Sequence, residues 1–218
     1  MNPKHIIFDC DGVLIDTEIV AAEVVTDWLH TEKVDITVEE FIHTHTGKLF
    51  RNILKELMEA GSLRKDLHIP SVMVELDKQV RDNMRIIDGV LPMLNSIGLP
   101  KSVVSNSDVD YVEEALKKFG LAPHFGAPVF SAEMVAEGKP SPMVYQLAID
   151  TIGVDEASII AIEDSYTGVQ AATRAGIPTI GFLGGSHIRD GHAERLQSLG
   201  VIGLASNHQE LGALLSQS

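Results

Sequence analysis

Asp9 and Asp11 stand two residues apart, directly after the apolar run His5–Phe8 and before Gly12. Other polar stations repeat that placement. Ser105 and Asn106 follow the run Ser102–Val104, Glu163 and Asp164 follow Ser158–Ile162, and Lys139 lies between these two in Glu137-Gly138-Lys139-Pro140. Open parallel sheets bind ligands beyond the carboxyl ends of their strands, so these residues would converge on one edge. Four carboxylates in one crevice repel one another unless a cation joins them. Oxygen-only donors suit a hard ion, and Mg2+ keeps waters and shares its shell with phosphate groups. Such an ion, with Lys139 as a second cation, would let a chain of formal net charge −14 hold an anionic substrate.

Taken singly, each station has a plainer reading. Asp-x-Asp-Gly after a strand can be a turn. Ser105-Asn106-Ser107-Asp108 and Glu163-Asp164-Ser165 can cap the helices that follow, and Lys139 can be a solvated loop lysine. The coincidence favours chemistry, because helix caps give no reason for acids to gather where such sheets bind ligands.

The elements that must position these residues are legible as patterns. From Pro100 onward, strand candidates Ser102–Val104, Pro128–Phe130, Ser158–Ile162 and Thr179–Phe182, with a weaker one near Val201–Leu204, alternate with helical periodicities. Gly120, Gly153 and Gly176 each follow a helical pattern, where a left-handed residue ends the helix. Ser141-Pro142 reads as a helix start, with Ser as cap and Pro first in the helix. Alternating strands and helices imply a parallel sheet with crossover helices, and His5–Phe8 joins it by composition. Between about Asp16 and Met84 no strand pattern occurs. Val20, Val24, Trp28 and Leu29 recur at helical spacing, and Thr37-Val38-Glu39-Glu40 reads as a capping box. Trp28 is therefore expected in a helical core. The resulting fold class is α/β, a Rossmann-like parallel sheet with an inserted helical block.

Composition bounds the function classes. With 218 residues the chain can form one core domain carrying a smaller insertion. The acidic excess opposes non-specific contact with nucleic acid or anionic membranes. The single cysteine, Cys10, excludes an internal disulfide, and strand alternation turns it away from Asp9 and Asp11 into the packing. No apolar run approaches the ~20 residues of a membrane span. A cytoplasmic protein, by default a monomer, is expected. Nine histidines are scattered, and His43 and His45 would face different sides of a helix. Leu183-Gly184-Gly185-Ser186-His187 follows a strand and could line the crevice, with a flexible surface loop as the plainer reading.

Four segments resemble, in order, the signature motifs of the haloacid dehalogenase superfamily, in its β-phosphoglucomutase-like phosphatase branch. They are Phe8-Asp9-Cys10-Asp11-Gly12-Val13-Leu14-Ile15-Asp16-Thr17-Glu18, Val103-Val104-Ser105-Asn106-Ser107, Gly138-Lys139-Pro140-Ser141-Pro142, and the stretch from Ile162-Glu163-Asp164-Ser165 to Ala172. The resemblance implies a catalytic core of residues 1–15 and 87–218 with a helical cap of residues 16–86. It implies a Mg2+-dependent phosphatase acting on a small phosphorylated metabolite, a sugar phosphate or phosphosugar acid by preference. Asp9 would be the nucleophile and Asp11 the general acid and base. Asp9, the Asp11 carbonyl, Asp164 and Glu163 would hold Mg2+, and Ser105, Asn106 and Lys139 would bind the phosphoryl oxygens. Substrate choice would belong to the cap, with Glu18, Lys48 and Arg51 as candidates.

A phosphosugar mutase of the β-phosphoglucomutase type is the alternative. It shares the core motifs, but such mutases carry a histidine near the position of Ala21. Dehalogenases resemble the first motif yet lack an acid at the position of Asp11. Non-enzyme readings are a phosphoryl-accepting signalling domain, which would lack Asp11 and the helical insertion, and a metabolite-binding scaffold, which would be expected to have lost a station.

Overall fold

The computed structural model describes residues 2–45 and 50–216. The chain divides into two compact units, Met1–Asp16 with Ile86–Ser218, and Thr17–Arg85.

The first unit is built on six strands: β1 (His5–Phe8), β2 (Lys101–Ser105), β3 (Val129–Ser131), β4 (Ile159–Glu163), β5 (Thr179–Phe182) and β6 (Gly203–Ala205). They form one parallel sheet in the order β3-β2-β1-β4-β5-β6. The order runs outward from β1 in both directions, which makes β1 and its neighbours the topological switch point. Phe8 pairs with Val103 on one side and Ile162 on the other, so β1, β2 and β4 end level with one another. Every residue of β1, β2 and β4 is buried, as expected of parallel strands covered on both faces.

The expected strands all form, each within two residues of its expected ends. The glycines at 120, 153 and 176 have φ of 67°, 70° and 83°, the left-handed ends anticipated for their helices. One start differs. The helix after Lys139 begins at Met143, not at Pro142, because Ser141 N–H is turned to the Gly138 carbonyl and the first helical bond runs from Gln146 N–H to the Pro142 carbonyl. Pro142 is thus the cap, and no side chain hydrogen-bonds into that helix start from the cap position.

In the order of the chain, the helices are α1 (Thr17–Thr31), α2 (Val38–His45), α3 (Phe50–Glu59), α4 (Ile69–Asn83), α5 (Val90–Ser96), α6 (Val109–Lys118), α7 (Met143–Ile152), α8 (Tyr166–Arg174), α9 (His192–Gln197) and α10 (His208–Ser216). On one face of the sheet Ile7, Val104, Phe130 and Ala161 pack against Val144, Tyr145 and Ala148 of α7 and Ala171 and Ala172 of α8. That packing fixes where α7 and α8 start, and both starts border the site described below.

The second unit is α1 to α4. Its core gathers Val20, Val24, Trp28, Leu29, Phe41, Ile53, Leu54, Val72 and Leu76, so Trp28 is a packing residue. The capping box at α2 forms: Glu40 N–H donates to Thr37 Oγ1 at 3.2 Å and Thr37 N–H to Glu40 Oε2 at 2.9 Å. Arg85 closes the unit with a bidentate pair to Glu23, at 3.0 and 2.6 Å.

Candidate active site

The segment leaving β1 is shaped by its own backbone. Gly12 N–H donates to the Ile15 carbonyl at 2.7 Å, and Leu14 and Ile15 N–H both donate to the Cys10 carbonyl. This tight turn needs φ = +80° at Gly12, and a Cβ there would lie 1.9 Å from Asp164 Oδ2. Glycine is therefore required twice over, for conformation and for space. Cys10 is fully buried, and burial raises its thiol well above the usual range.

Lys139 is the hub. Its ammonium donates to Asp9 Oδ1 at 2.7 Å, to Glu163 Oε1 at 2.6 Å and to the Val104 carbonyl at 2.9 Å. All three donors of the ammonium are thus used on the residue after β1 and on β2 and β4, the strands flanking the switch point. Burial works to lower the pKa of Lys139, but Asp9 and Glu163 outweigh it and hold the group firmly protonated. The solvated-loop reading of Lys139 does not survive.

Glu163 is completely buried and also accepts from the Tyr145 hydroxyl at 2.6 Å. Burial raises its pKa, and Lys139 opposes that rise. Asp9 is pushed well above the ordinary carboxylate range by burial, then by Glu163, against the pull of Lys139. Asp9, Glu163 and Asp164 each offer an oxygen within 4.8 Å of the others. Three carboxylates thus face one ammonium, and Asp164 Oδ1 is buried without a hydrogen-bond partner among the described residues. A charge deficit beside an unpartnered carboxylate oxygen fits a hard divalent cation.

Asp11 sits over β2, where its Oδ2 accepts from Ser107 Oγ at 2.7 Å and from Ser105 Oγ at 3.4 Å. Asn106 grips the main chain of Lys139 through Nδ2 to the carbonyl and Oδ1 from the N–H. Asp9, Asp11, Ser105, Asn106, Lys139, Glu163 and Asp164 therefore come together at one end of the sheet. Glu18 and Arg51 lie exposed in the first turns of α1 and α3, in the other unit, and Lys48 falls outside the described residues.

Four partners were not singled out by the sequence reading. Ser107 and Tyr145 are two, and only the serine's nearness to Ser105 hinted at a role. The others come from the segment after β5, where residues 183–187 border the crevice rather than forming a plain surface loop, and from the first residue of α9. His187 Nε2 lies 3.0 Å from Asp164 Oδ2, and His192 Nε2 donates to the Asp164 carbonyl at 2.6 Å. Asp16, expected in the helical block, belongs to the sheet-bearing unit, where Ser186 binds its carboxylate through both N–H and hydroxyl.

Acids at the ends of β1 and β4, meeting a buried lysine at the switch point, mark a doubly wound α/β enzyme. The sequence profile of the haloacid dehalogenase-like hydrolases matches residues 6–182, and the chain belongs to that family. It is 28% identical over 198 residues to a phosphoglycolate phosphatase of Neisseria meningitidis, covering 82% of this chain and 79% of that one. It is also 28% identical over 226 residues to a phosphorylated carbohydrates phosphatase of Thermotoga maritima, covering 97% and 98%. Among solved structures, a conserved haloacid dehalogenase-like protein of unknown function from Agrobacterium tumefaciens superposes with a TM-score of 0.84 at 33% identity, covering 99% of this chain and 98% of that one. No helix among the described residues is long and apolar enough to cross a membrane.

Proposed function

We propose that this chain is a Mg2+-dependent phosphatase that hydrolyses a small phosphorylated metabolite, a sugar phosphate or phosphosugar acid, through a phosphoryl group carried on Asp9. The observation that carries the reading is the Lys139 ammonium held between Asp9 and Glu163, beside the unpartnered Oδ1 of Asp164. The name of the Thermotoga relative, a phosphorylated carbohydrates phosphatase, supports the sugar-phosphate class, and that of the Neisseria relative supports a small phosphorylated metabolite.

In the first step an Asp9 carboxylate oxygen attacks phosphorus, the ester P–O bond breaks, and Asp11 gives its proton to the leaving oxygen. In the second step water attacks the same phosphorus, Asp11 takes a proton from it, and the bond to Asp9 breaks to release phosphate. Lys139 reduces the repulsion between the Asp9 carboxylate and an anionic ester. Ser105 and the Asn106 segment bind the non-reacting oxygens. Asp9, Asp164, the Asp11 carbonyl and Glu163 would hold Mg2+, which supplies charge to the phosphoryl group.

The test is phosphate release from a panel of phosphorylated metabolites, with and without Mg2+, for wild type and Asp9→Asn. Mg2+-dependent turnover that disappears in Asp9→Asn is expected. Wild-type turnover in Asp9→Asn would overturn the reading.

A further inference from the structure

We infer that His187 is a positioning residue, holding one oxygen of Asp164 so that the other is presented to a divalent cation. This rests on the metal-dependent reading above. His187 Nε2 lies 3.0 Å from Asp164 Oδ2. An ionised carboxylate only accepts, so the imidazole donates. On the same carboxyl group, Oδ1 is buried and has no hydrogen-bond partner among the described residues. One oxygen is thus tethered and its twin is left to a ligand that the protein does not supply.

The surroundings are built for this contact. A Cβ on Gly12 would lie 2.9 Å from His187 Cε1, and a Cβ on Gly185 would lie 2.7 Å from the same atom. Glycine on both sides opens a slot through which the ring reaches the carboxylate. The loop carrying it is anchored: Ser186 N–H donates to Asp16 Oδ1 at 3.1 Å, and Arg189 Nη1 to the Ser186 carbonyl at 2.7 Å. His192 then fixes the main chain of the same acid through its carbonyl, with its ring 6.1 Å from that of His187 and edge-on to it. Side chain and backbone of Asp164 are therefore held by two imidazoles, one from the loop after β5 and one from the first residue of α9.

A carboxylate tethered at one oxygen loses the rotation that would otherwise be frozen when a cation binds. Donors behind metal ligands are typically worth about 10–100-fold in metal affinity. If His187 only packed the loop, its loss would lower thermal stability and leave cation affinity unchanged.

The test is calorimetric titration of Mg2+ into the metal-free full chain for wild type, His187→Leu and His187→Gln, each first melted in EDTA. Gln places an amide donor near the position of Nε2, and Leu removes the donor while keeping bulk. His187→Leu is expected to bind Mg2+ about tenfold more weakly. His187→Gln is expected to recover most of that loss. The Mg2+ concentration giving half-maximal turnover should rise by the same factor in His187→Leu. Should the leucine variant not fold, His187→Asn, whose amide stops short of Oδ2, takes its place against Gln. A donor-less variant within about threefold of wild type, or a loss that Gln leaves unrepaired, would overturn the inference. Wild type that takes up no Mg2+ would remove the metal-dependent reading itself, and the inference with it.

Discussion

Asn106 and Lys139 hold each other reciprocally: Asn106 Nδ2 donates to the Lys139 carbonyl at 3.1 Å, and the Lys139 N–H donates to Asn106 Oδ1 at 2.8 Å. One amide side chain thus satisfies both main-chain groups of a residue 33 positions away and aims its ammonium at β1. The neighbouring Gly138 permits the approach, since a Cβ there would lie 2.8 Å from Asn106 Oδ1. Asn106→Ala should cost about 1–2 kcal/mol of stability for the two bonds. It should also lower turnover about tenfold, because Lys139 loses its aim. Urea unfolding and steady-state kinetics check the two effects; unchanged turnover would limit Asn106 to a structural role.

Lys139 is the next test. Its replacement by Met leaves Asp9 and Glu163 buried without their ammonium. Breaking a buried pair from one side costs roughly 3–5 kcal/mol, since the stranded charge is not compensated. Lys139→Met should therefore unfold far more easily than wild type in EDTA, and Mg2+ should narrow the gap by replacing part of the missing charge. Turnover should fall about a hundredfold, as for other lost donors to a reacting group. A variant as stable as wild type in EDTA would show that the two acids are protonated there and need no counter-charge.

The polar residues at the strand ends were legible in the sequence for a physical reason. Asp9, Ser105 and Glu163 each end an apolar run, and parallel strands of the same sheet finish on one side. Only strand identity was needed to bring them together. Their partners were not legible in the same way. Tyr145 reads as one more apolar position on α7, because nothing local says that its hydroxyl meets Glu163. His187 and His192 sit in a Gly-rich stretch whose path follows from contacts with Gly12, Asp16 and Asp164, all distant in sequence. The start of α7 was misplaced by one residue because a local turn competes with the Ser-Pro signal. Periodicity reports what faces a core; it carries no record of which polar atom waits across it.

Gly168 sets two effects against each other. It lies in the first turn of α8, where alanine is favoured over glycine by up to about 1 kcal/mol. A Cβ there would fall 1.9 Å from Glu163 Oε2, and Glu163 is fully buried and tied to Lys139 and Tyr145. The clash should win. Gly168→Ala is expected to lose about 1–3 kcal/mol, as overpacked sites do, with turnover reduced. Gly120→Ala is the control: nothing lies within 4 Å of its Cβ, so it meets only the strain of φ = 67° and should leave turnover alone. Denaturation and activity measured on both variants separate backbone strain from displacement of Glu163.

His208 gives the fold a pH dependence remote from these acids. Its ring is buried against Phe182, with centroids 4.5 Å apart, and Nδ1 donates to the Asp88 carbonyl at 3.0 Å. Burial lowers its pKa below the ordinary value, and hydrogen bonds to main-chain carbonyls only partly offset that. His5, buried beside Ser102, is lowered in the same direction by burial and by Lys101. For a group lowered on folding, the unfolded chain binds more protons at pH values between the two pKa values. The contribution to stability is then complete above the unfolded value of about 6.5, and it is lost as the pH falls from there through the folded value. The two histidines should therefore lower the urea midpoint as the pH falls from 7.5 to 5.5. Asp9 and Glu163, raised on folding, work in the opposite direction, so the His208 part is read as a difference between two proteins. His208→Asn keeps a donor near Nδ1 but cannot titrate, so its midpoint should drop less over the same range, with His5 supplying part of what remains. Parallel profiles for the two proteins would mean that His208 keeps its ordinary pKa in the folded state.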